Sequence, residues 1–98
     1  MTTYRRIGAV TVAVKILRYL ADQKQPVSGQ EVARAVGEAP DTVRCHLATL
    51  EDERLVRTVG GAFELDMGMA LFWARKKSQL QGRIEQATAE LNQLEREA

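Results

Sequence analysis

Apolar residues return every three or four positions near the start of the chain, which is the period of one face of an α-helix. The pattern predicts an amphipathic helix from Ile7 to about Gln23, ended by Lys24, Gln25 and Pro26. Its predicted buried stripe consists of Ile7, Val10, Val14, Leu17 and Leu20 or Ala21. Residues 1–6 are expected to form a flexible arm before it.

Two shorter helices are predicted next. Ser28-Gly29-Gln30-Glu31 has the form of a capping box, and Gly37 suits the left-handed end of a helix, with Val32, Ala33 and Val36 facing inward. Pro40 fits the first turn of a third helix, because its missing N–H has no partner there. The buried stripe of this third helix is Val43, Leu47 and Leu50. Its opposite face carries Asp41, Cys45, Ala48, Thr49 and Asp52, with Thr42 and Arg44 on the flanks.

The period changes after Arg54. Leu55–Val59 and Ala62–Leu65 are rich in strand-forming residues, and Gly60-Gly61 between them can supply the positive φ angles of a two-residue hairpin. Residues 67–98 are predicted to form one long helix, because apolar positions there alternate spacings of four and three, as in a heptad repeat. We call these positions the seam: Trp73, Lys77, Leu80, Ile84, Ala87, Leu91, Leu94 and Ala98.

At about 1.5 Å per residue the long helix reaches roughly 45 Å, which is more than a small domain can cover. We therefore predict two units, a head of residues 1–66 and a dimerisation helix of residues 67–98. Dimerisation is expected through the first helix and through Trp73, Leu80, Ile84, Ala87, Leu91 and Leu94. Parallel and antiparallel pairing both stay open, although a parallel pair would set Glu90 against Glu95 of the other chain.

Three helices, a β-hairpin and a long C-terminal helix are the element order of a mainly α fold, the winged helix-turn-helix. The turn between the second and third helices suits the bend, since Ala33 is small, Gly37 lets the chain reverse, and Val43 and Leu47 fill the groove. In such folds the N-terminal half of the third helix is the part that reaches base edges in the major groove of DNA.

The run SGQEVARAVGEAPDTVRCHLATLEDERLVRTVGGAFEL resembles the DNA-binding domain of IclR-type transcriptional regulators. The residues that match the family pattern are Glu31, Ala33, Gly37, Pro40, Thr42, Val43, Leu47, Ala48, Thr49, Leu50 and Glu51, with Gly60-Gly61 and Phe63–Leu65 at the wing. The resemblance covers about residues 7–74. It departs from the family at GEAP, which has one residue more than G-x-P, and at His46, where an apolar or basic residue is usual.

This resemblance implies a sequence-specific regulator of transcription that binds double-stranded DNA, and we expect it to act as a dimeric repressor. The family's large effector-binding domain is not found after the long helix, so no small-molecule effector is implied. Thr42, Arg44 and Cys45 are expected to meet base edges, with Thr49 at the margin. The complete expected interface is Ser28, Gln30, Pro40, Asp41, Thr42, Arg44, Cys45, Thr49, Arg57, Gly60 and Gly61.

Asp41 is the exception in this interface, because a carboxylate repels phosphate. It could accept a hydrogen bond from a cytosine amino group. It could also serve only the positive end of the helix dipole, which is the interpretation we favour.

Charge changes this picture little. Fourteen basic and thirteen acidic residues give a net charge of +1, and 45% hydrophobic with 28% charged residues is ordinary for a folded domain. Local basic clusters, such as Arg75-Lys76-Lys77, can contact phosphate or simply face solvent. The near-neutral total and the acidic run Glu51-Asp52-Glu53 suit the main alternative, a protein-interaction module that binds no DNA.

Cys45 and His46 are the only cysteine and histidine. They are too few for a metal site, and neighbours on a helix point about 100° apart, so they cannot form a nucleophile pair. We expect no catalytic residue, metal or cofactor, and the redox sensitivity of Cys45 stays open. A single cysteine suits a reducing cytoplasm, and no segment approaches the roughly 18 apolar residues of a membrane span. A cytoplasmic location without membrane contact is therefore expected.

Overall fold

The computed structural model describes residues 3–98, so the first two residues of the predicted arm lie outside it. The elements follow the predicted order. They are α1 (Gly8–Ala21), α2 (Gly29–Val36), α3 (Pro40–Asp52), β1 (Val56–Val59), β2 (Ala62–Leu65) and α4 (Met67–Glu97). This mainly helical winged helix-turn-helix confirms the predicted fold class.

The core lies where α1, α2 and α3 meet the hairpin. Ile16 of α1, Val32 of α2, Val43 of α3 and Val56 of β1 are fully buried there. The whole core cluster is Ile16, Leu20, Val27, Val32, Ala33, Val43, Leu47, Leu50 and Val56. The predicted inner faces of α2 and α3 are therefore correct.

The predicted stripe of α1 is partly wrong. Ile16 and Leu20 are its buried residues, whereas Ile7 and Val10 keep 63% and 57% of their surface exposed and Val14 is exposed as well. The helix buries the face that meets α2 and β2. Apolar residues on its other side remain at the surface.

The predicted caps explain where α2 and α3 begin and end. The Ser28 hydroxyl accepts a hydrogen bond from the Glu31 N–H at 3.2 Å, which is the first half of the capping box. Gly37 has φ 75°, a left-handed conformation that only glycine adopts without strain. The extra residue of GEAP lies in the turn, so α3 still begins at Pro40.

The hairpin pairs Val59 with Ala62 across Gly60 and Gly61, whose φ angles are 56° and 82°. Val27, in the segment before α2, forms an isolated antiparallel β-bridge with Phe63, which the sequence patterns did not predict. The Val27 N–H donates to the Phe63 carbonyl at 3.0 Å, and the Phe63 N–H donates back at 2.8 Å. These two bonds attach the wing to the start of α2.

The long helix α4 leaves the head directly after β2. The Asp66 carboxylate accepts from the Met67 N–H at 2.6 Å and caps it. The Asp66 N–H donates to the Leu55 carbonyl at 2.9 Å, and the Gly68 N–H donates to the Arg54 carbonyl at 3.0 Å. No residue of α4 is buried. Among residues 3–98, no helix has the length and apolar character needed to cross a membrane.

Candidate nucleic-acid interface

The outward face of α3 is exposed along its length. Val43, Leu47 and Leu50 point into the core, so the opposite side of the helix faces solvent. The exposed set is Asp41, Thr42, Arg44, Cys45, Ala48, Thr49 and Asp52. The structure therefore places the sequence-predicted residues of α3 together on one accessible surface.

Arg44 and Asp41 form an ion pair on this surface. Arg44 Nη1 lies 3.2 Å from Asp41 Oδ1, and the two side chains retain 78% and 93% of their exposure. The pair spans one helical turn, so the spacing alone brings the two residues together. The charge of Arg44 is thus partly balanced by a residue of the same helix.

A cleft of about 280 Å³ lies beside Arg44. Its lining brings together the start of α2, the start of α3 and the tip of the wing. The lining residues are Ser28, Gly29, Gln30, Pro40, Arg44, Leu47, Gly61 and Phe63. Five of the sequence-predicted interface residues therefore lie around one concave surface, although they come from three parts of the chain.

The wing carries a second arginine–carboxylate pair. Arg57 Nη2 and Nε lie 3.1 and 3.3 Å from Glu64 Oε2, and Thr58 donates to the carboxylate of Glu51. Sequence reasoning missed the Arg57–Glu64 pair. The hairpin register, which sets these two residues directly opposite each other, is the signal that could have revealed it.

Cys45 and His46 diverge, as expected for helix neighbours. Cys45 is exposed, whereas the ring nitrogens of His46 face backbone carbonyls, Nδ1 at 3.1 Å from Thr42 O and Nε2 at 3.2 Å from Ala9 O of α1. The Thr49 hydroxyl donates to the Cys45 carbonyl at 3.0 Å. Within residues 3–98, no cluster of three or more histidine, cysteine or acidic residues could hold a metal ion.

The seam of α4 is exposed in the single chain. Trp73 and Ile84 keep 67% and 66% of their surface exposed, and Leu80, Ala87, Leu91 and Leu94 are exposed too. Lys77 Nζ lies over the Trp73 ring, 5.2 Å from its centroid. Close to the head, Leu71, Phe72 and Arg75 line a cleft with the turn at Arg54 and Leu55.

Comparisons with known proteins agree with this geometry. A sequence model of the IclR helix-turn-helix domain matches residues 9–60. No curated protein sequence matches the chain. Among solved structures, the chain is similar to an IclR family transcriptional regulator from Brucella abortus, with 23% identity and a TM-score of 0.65. That similarity covers 69% of this chain but only 26% of the Brucella protein.

A second similar structure describes the binding mode of Cyprinid Herpesvirus3 ORF112-Zalpha to Z-DNA. It is 26% identical with a TM-score of 0.53, and the similarity covers 57% of this chain and 93% of that one. The domain match takes in nearly all of α1, the whole of α2 and α3, and the first strand of the wing, which is more than half of the 98 residues. The chain therefore belongs to the family of IclR helix-turn-helix domains.

Proposed function

We propose that the chain binds double-stranded DNA sequence-specifically and regulates transcription. The observation that carries the proposal is the exposed N-terminal half of α3, which stands beside a cleft formed by the start of α2 and the tip of the wing. A helix presented in this way fits the major groove, while the flanking elements meet the backbone. Family membership supports this function, as does the Z-DNA binding of a protein with a similar fold.

Each part of the surface suits a different contact. Thr42, Arg44 and Cys45 are proposed to meet base edges, with Thr49 at the margin. Ser28 and Gln30 lie at the start of α2, where N–H groups and the helix dipole favour phosphate, and Pro40 lies across the same cleft at the start of α3. The tip at Gly60 and Gly61 has no side chain to hinder approach to the neighbouring backbone. Arg57 would reach phosphate through the part of its guanidinium that Glu64 leaves free.

We propose further that residues 1–66 bind DNA and residues 67–98 dimerise the protein. The exposed seam of α4 supports this division, because apolar residues at heptad spacing are usually covered by another helix. The exposed Ile7, Val10 and Val14 of α1 offer a second apolar surface to the same partner. A dimer doubles the phosphate contacts, which offsets the net charge of only +1.

We assign the dimer a repressor role, since occupying an operator needs no surface beyond the DNA interface. No catalytic role is proposed. A reporter gene placed downstream of a selected binding site should be expressed less when the chain is present. Increased expression of the reporter would contradict the repressor role.

Loss of Arg44 tests the DNA interface directly. Sites selected from random duplex DNA should bind Arg44→Ala at least about tenfold more weakly than the wild type, because a bidentate arginine–guanine contact is lost. Thr42→Ala should weaken binding as well. Arg83→Ala removes the same charge from exposed α4 and should leave affinity within about twofold. Equal affinity of the Arg44→Ala and Arg83→Ala variants would contradict the proposed interface.

One observation favours a protein-assembly module instead. Both arginines of the proposed interface, Arg44 and Arg57, are paired with carboxylates of the same chain. An assembly module would bind no duplex even at low salt, and would retain a stoichiometric protein partner in a pull-down. A salt-dependent shift of duplex DNA in gel electrophoresis would exclude that alternative.

A further inference from the structure

We propose that Asp41 is a positioning residue that holds the guanidinium of Arg44 ready for a guanine in the major groove. This inference rests on the proposed function, and it gives Asp41 a role that neither the helix dipole nor a direct base contact provides. The juxtaposition that carries it is the Arg44–Asp41 pair on the exposed face of α3, next to the cleft.

The geometry of the pair leaves the contacting edge of Arg44 free. Asp41 engages Nη1 alone, at 3.2 Å. A guanidinium carries five N–H donors in a planar fork, so the edge formed by Nε and Nη2 can still donate two parallel hydrogen bonds. The O6 and N7 acceptors of guanine match such an edge.

The place of the pair on the helix agrees with this role. Asp41 lies in the first turn of α3, and Arg44 follows one turn later. Helical side chains lean toward the N-terminus of their helix, so the guanidinium is directed toward the end of α3 that enters the groove. Asp41 thus holds Arg44 where base edges would be met.

A positioning role also explains how a carboxylate can lie on a surface that contacts negatively charged DNA. An unpaired Asp41 would be repelled by phosphate on every sequence alike. Paired with Arg44, its charge is partly balanced, and it restricts a long side chain that otherwise samples many rotamers. Asp41 then contributes to binding affinity only on sequences where Arg44 meets a guanine, which makes Asp41 a determinant of specificity.

The test measures base preference rather than affinity. The position that Arg44 contacts is first identified as the one whose guanine preference disappears in Arg44→Ala. At that position the wild type should prefer guanine on the order of tenfold or more. Asp41→Asn should reduce this preference at least about threefold, whereas Asp41→Glu, which keeps a carboxylate within reach of Arg44, should retain most of it.

Two controls separate positioning from charge. Asp52→Asn removes the same charge from the exposed face of α3 without touching Arg44, and it should leave the preference unchanged. In the Arg44→Ala background, Asp41→Asn should have no further effect on base preference, because the residue it positions is gone.

Four results would overturn the inference. Asp41→Asn and Asp52→Asn could strengthen binding to all sequences equally, which would mean simple repulsion. Asp41→Asn could lower the melting temperature while the base preference stays intact. Asp41 would then only stabilise α3 through its interaction with the helix dipole. A wild-type chain that binds DNA without a guanine preference dependent on Arg44 would refute the inference alone. A wild-type chain that binds no duplex would refute the proposed function together with it.

Discussion

At the scale of single residues, the closest approach between the long helix and the head is at Gly68. A Cβ atom at this position would overlap the carbonyl oxygen of Arg54 and lie 3.2 Å from Leu55 Cδ2. The Gly68 N–H donates to the same carbonyl, and Arg54 itself has φ 61°. Because backbone meets backbone here, no side-chain rotation can relieve an added methyl group.

Gly68→Ala is therefore expected to destabilise the chain by roughly 1–3 kcal/mol, the usual cost of overpacking a close contact. Urea unfolding followed by circular dichroism would measure the change. Gly82→Ala is the matched control, because no atom lies within 4 Å of its Cβ position and alanine favours the helix by about 0.5–1 kcal/mol. If the two variants have the same free energy of unfolding, the close contact at Gly68 does not determine which residue fits there.

The sequence predicts contacts between residues one turn apart better than contacts between distant ones. The spacing of Asp41 and Arg44 was enough to place them side by side, although their pairing was not predicted. The contact of His46 with the Ala9 carbonyl depends on how α1 crosses α3. Nothing in the local pattern around His46 carries that information.

At the scale of elements, α1 shows why periodicity alone can select the wrong face. Val10, Val12, Val14 and Ile16 place apolar side chains on several sides of this helix, so more than one stripe fits a period of 3.6. The packing of α2 and β2 decides that Ile16 and Leu20 are buried. In α3 only one side is apolar, and there the predicted stripe is correct.

The cap of α2 also belongs to this scale. Ser28→Ala removes the hydroxyl that accepts from the Glu31 N–H, and should lower the free energy of unfolding by about 0.5–2 kcal/mol. Thermal unfolding would measure it. Ser78→Ala makes the same change at an exposed interior position of α4 and should stay within about 0.5 kcal/mol of the wild type. If Ser78→Ala proves as costly as Ser28→Ala, the cap contributes no special stability.

In the wing, the tight turn could be predicted from the sequence, whereas the pairing of Phe63 with Val27 could not. Gly60-Gly61 fixes the register of the hairpin, because both residues adopt the positive φ angles of a tight turn. Val27 pairs with Phe63, which lies far from it in the chain. No pattern in the residues around either of them indicates the other as its partner. The turn could therefore be predicted from the sequence, while this β-bridge could not.

At the scale of the whole molecule, the proposed division into a head and a dimerisation helix rests on one contrast: the buried core lies in α1, α2, α3, β1 and the segment before α2, whereas no residue of α4 is buried. The extents of 65 × 44 × 21 Å reflect the projection of α4. Heptad spacing predicted both the length of α4 and its exposed seam. The direction in which α4 leaves the head depends on the backbone contacts of Asp66 and Gly68, which the sequence pattern does not reveal.

Oligomeric state is the property that tests this division. Ile84→Lys places an ammonium group in the seam and should convert the proposed dimer to a monomer in sedimentation or light-scattering measurements, because burying an unpaired charge is costly. Gln79→Lys adds the same charge on the face of α4 opposite the seam and should remain dimeric. A dimer that survives Ile84→Lys would rule out pairing through the seam.

In the proposed dimer, the contact of Gly68 with the head would affect how the two DNA-binding surfaces are spaced. Between Gly68 and Trp73 the helix is continuous, so each residue turns the seam by about 100° and advances it by about 1.5 Å relative to the head. In the proposed dimer, one inserted residue there would swing each α3 out of phase with its half-site. Seven inserted residues would return each α3 to within about 20° of its original orientation. If the proposed dimer binds two half-sites, the number of residues in this short segment sets the rotational phase between them.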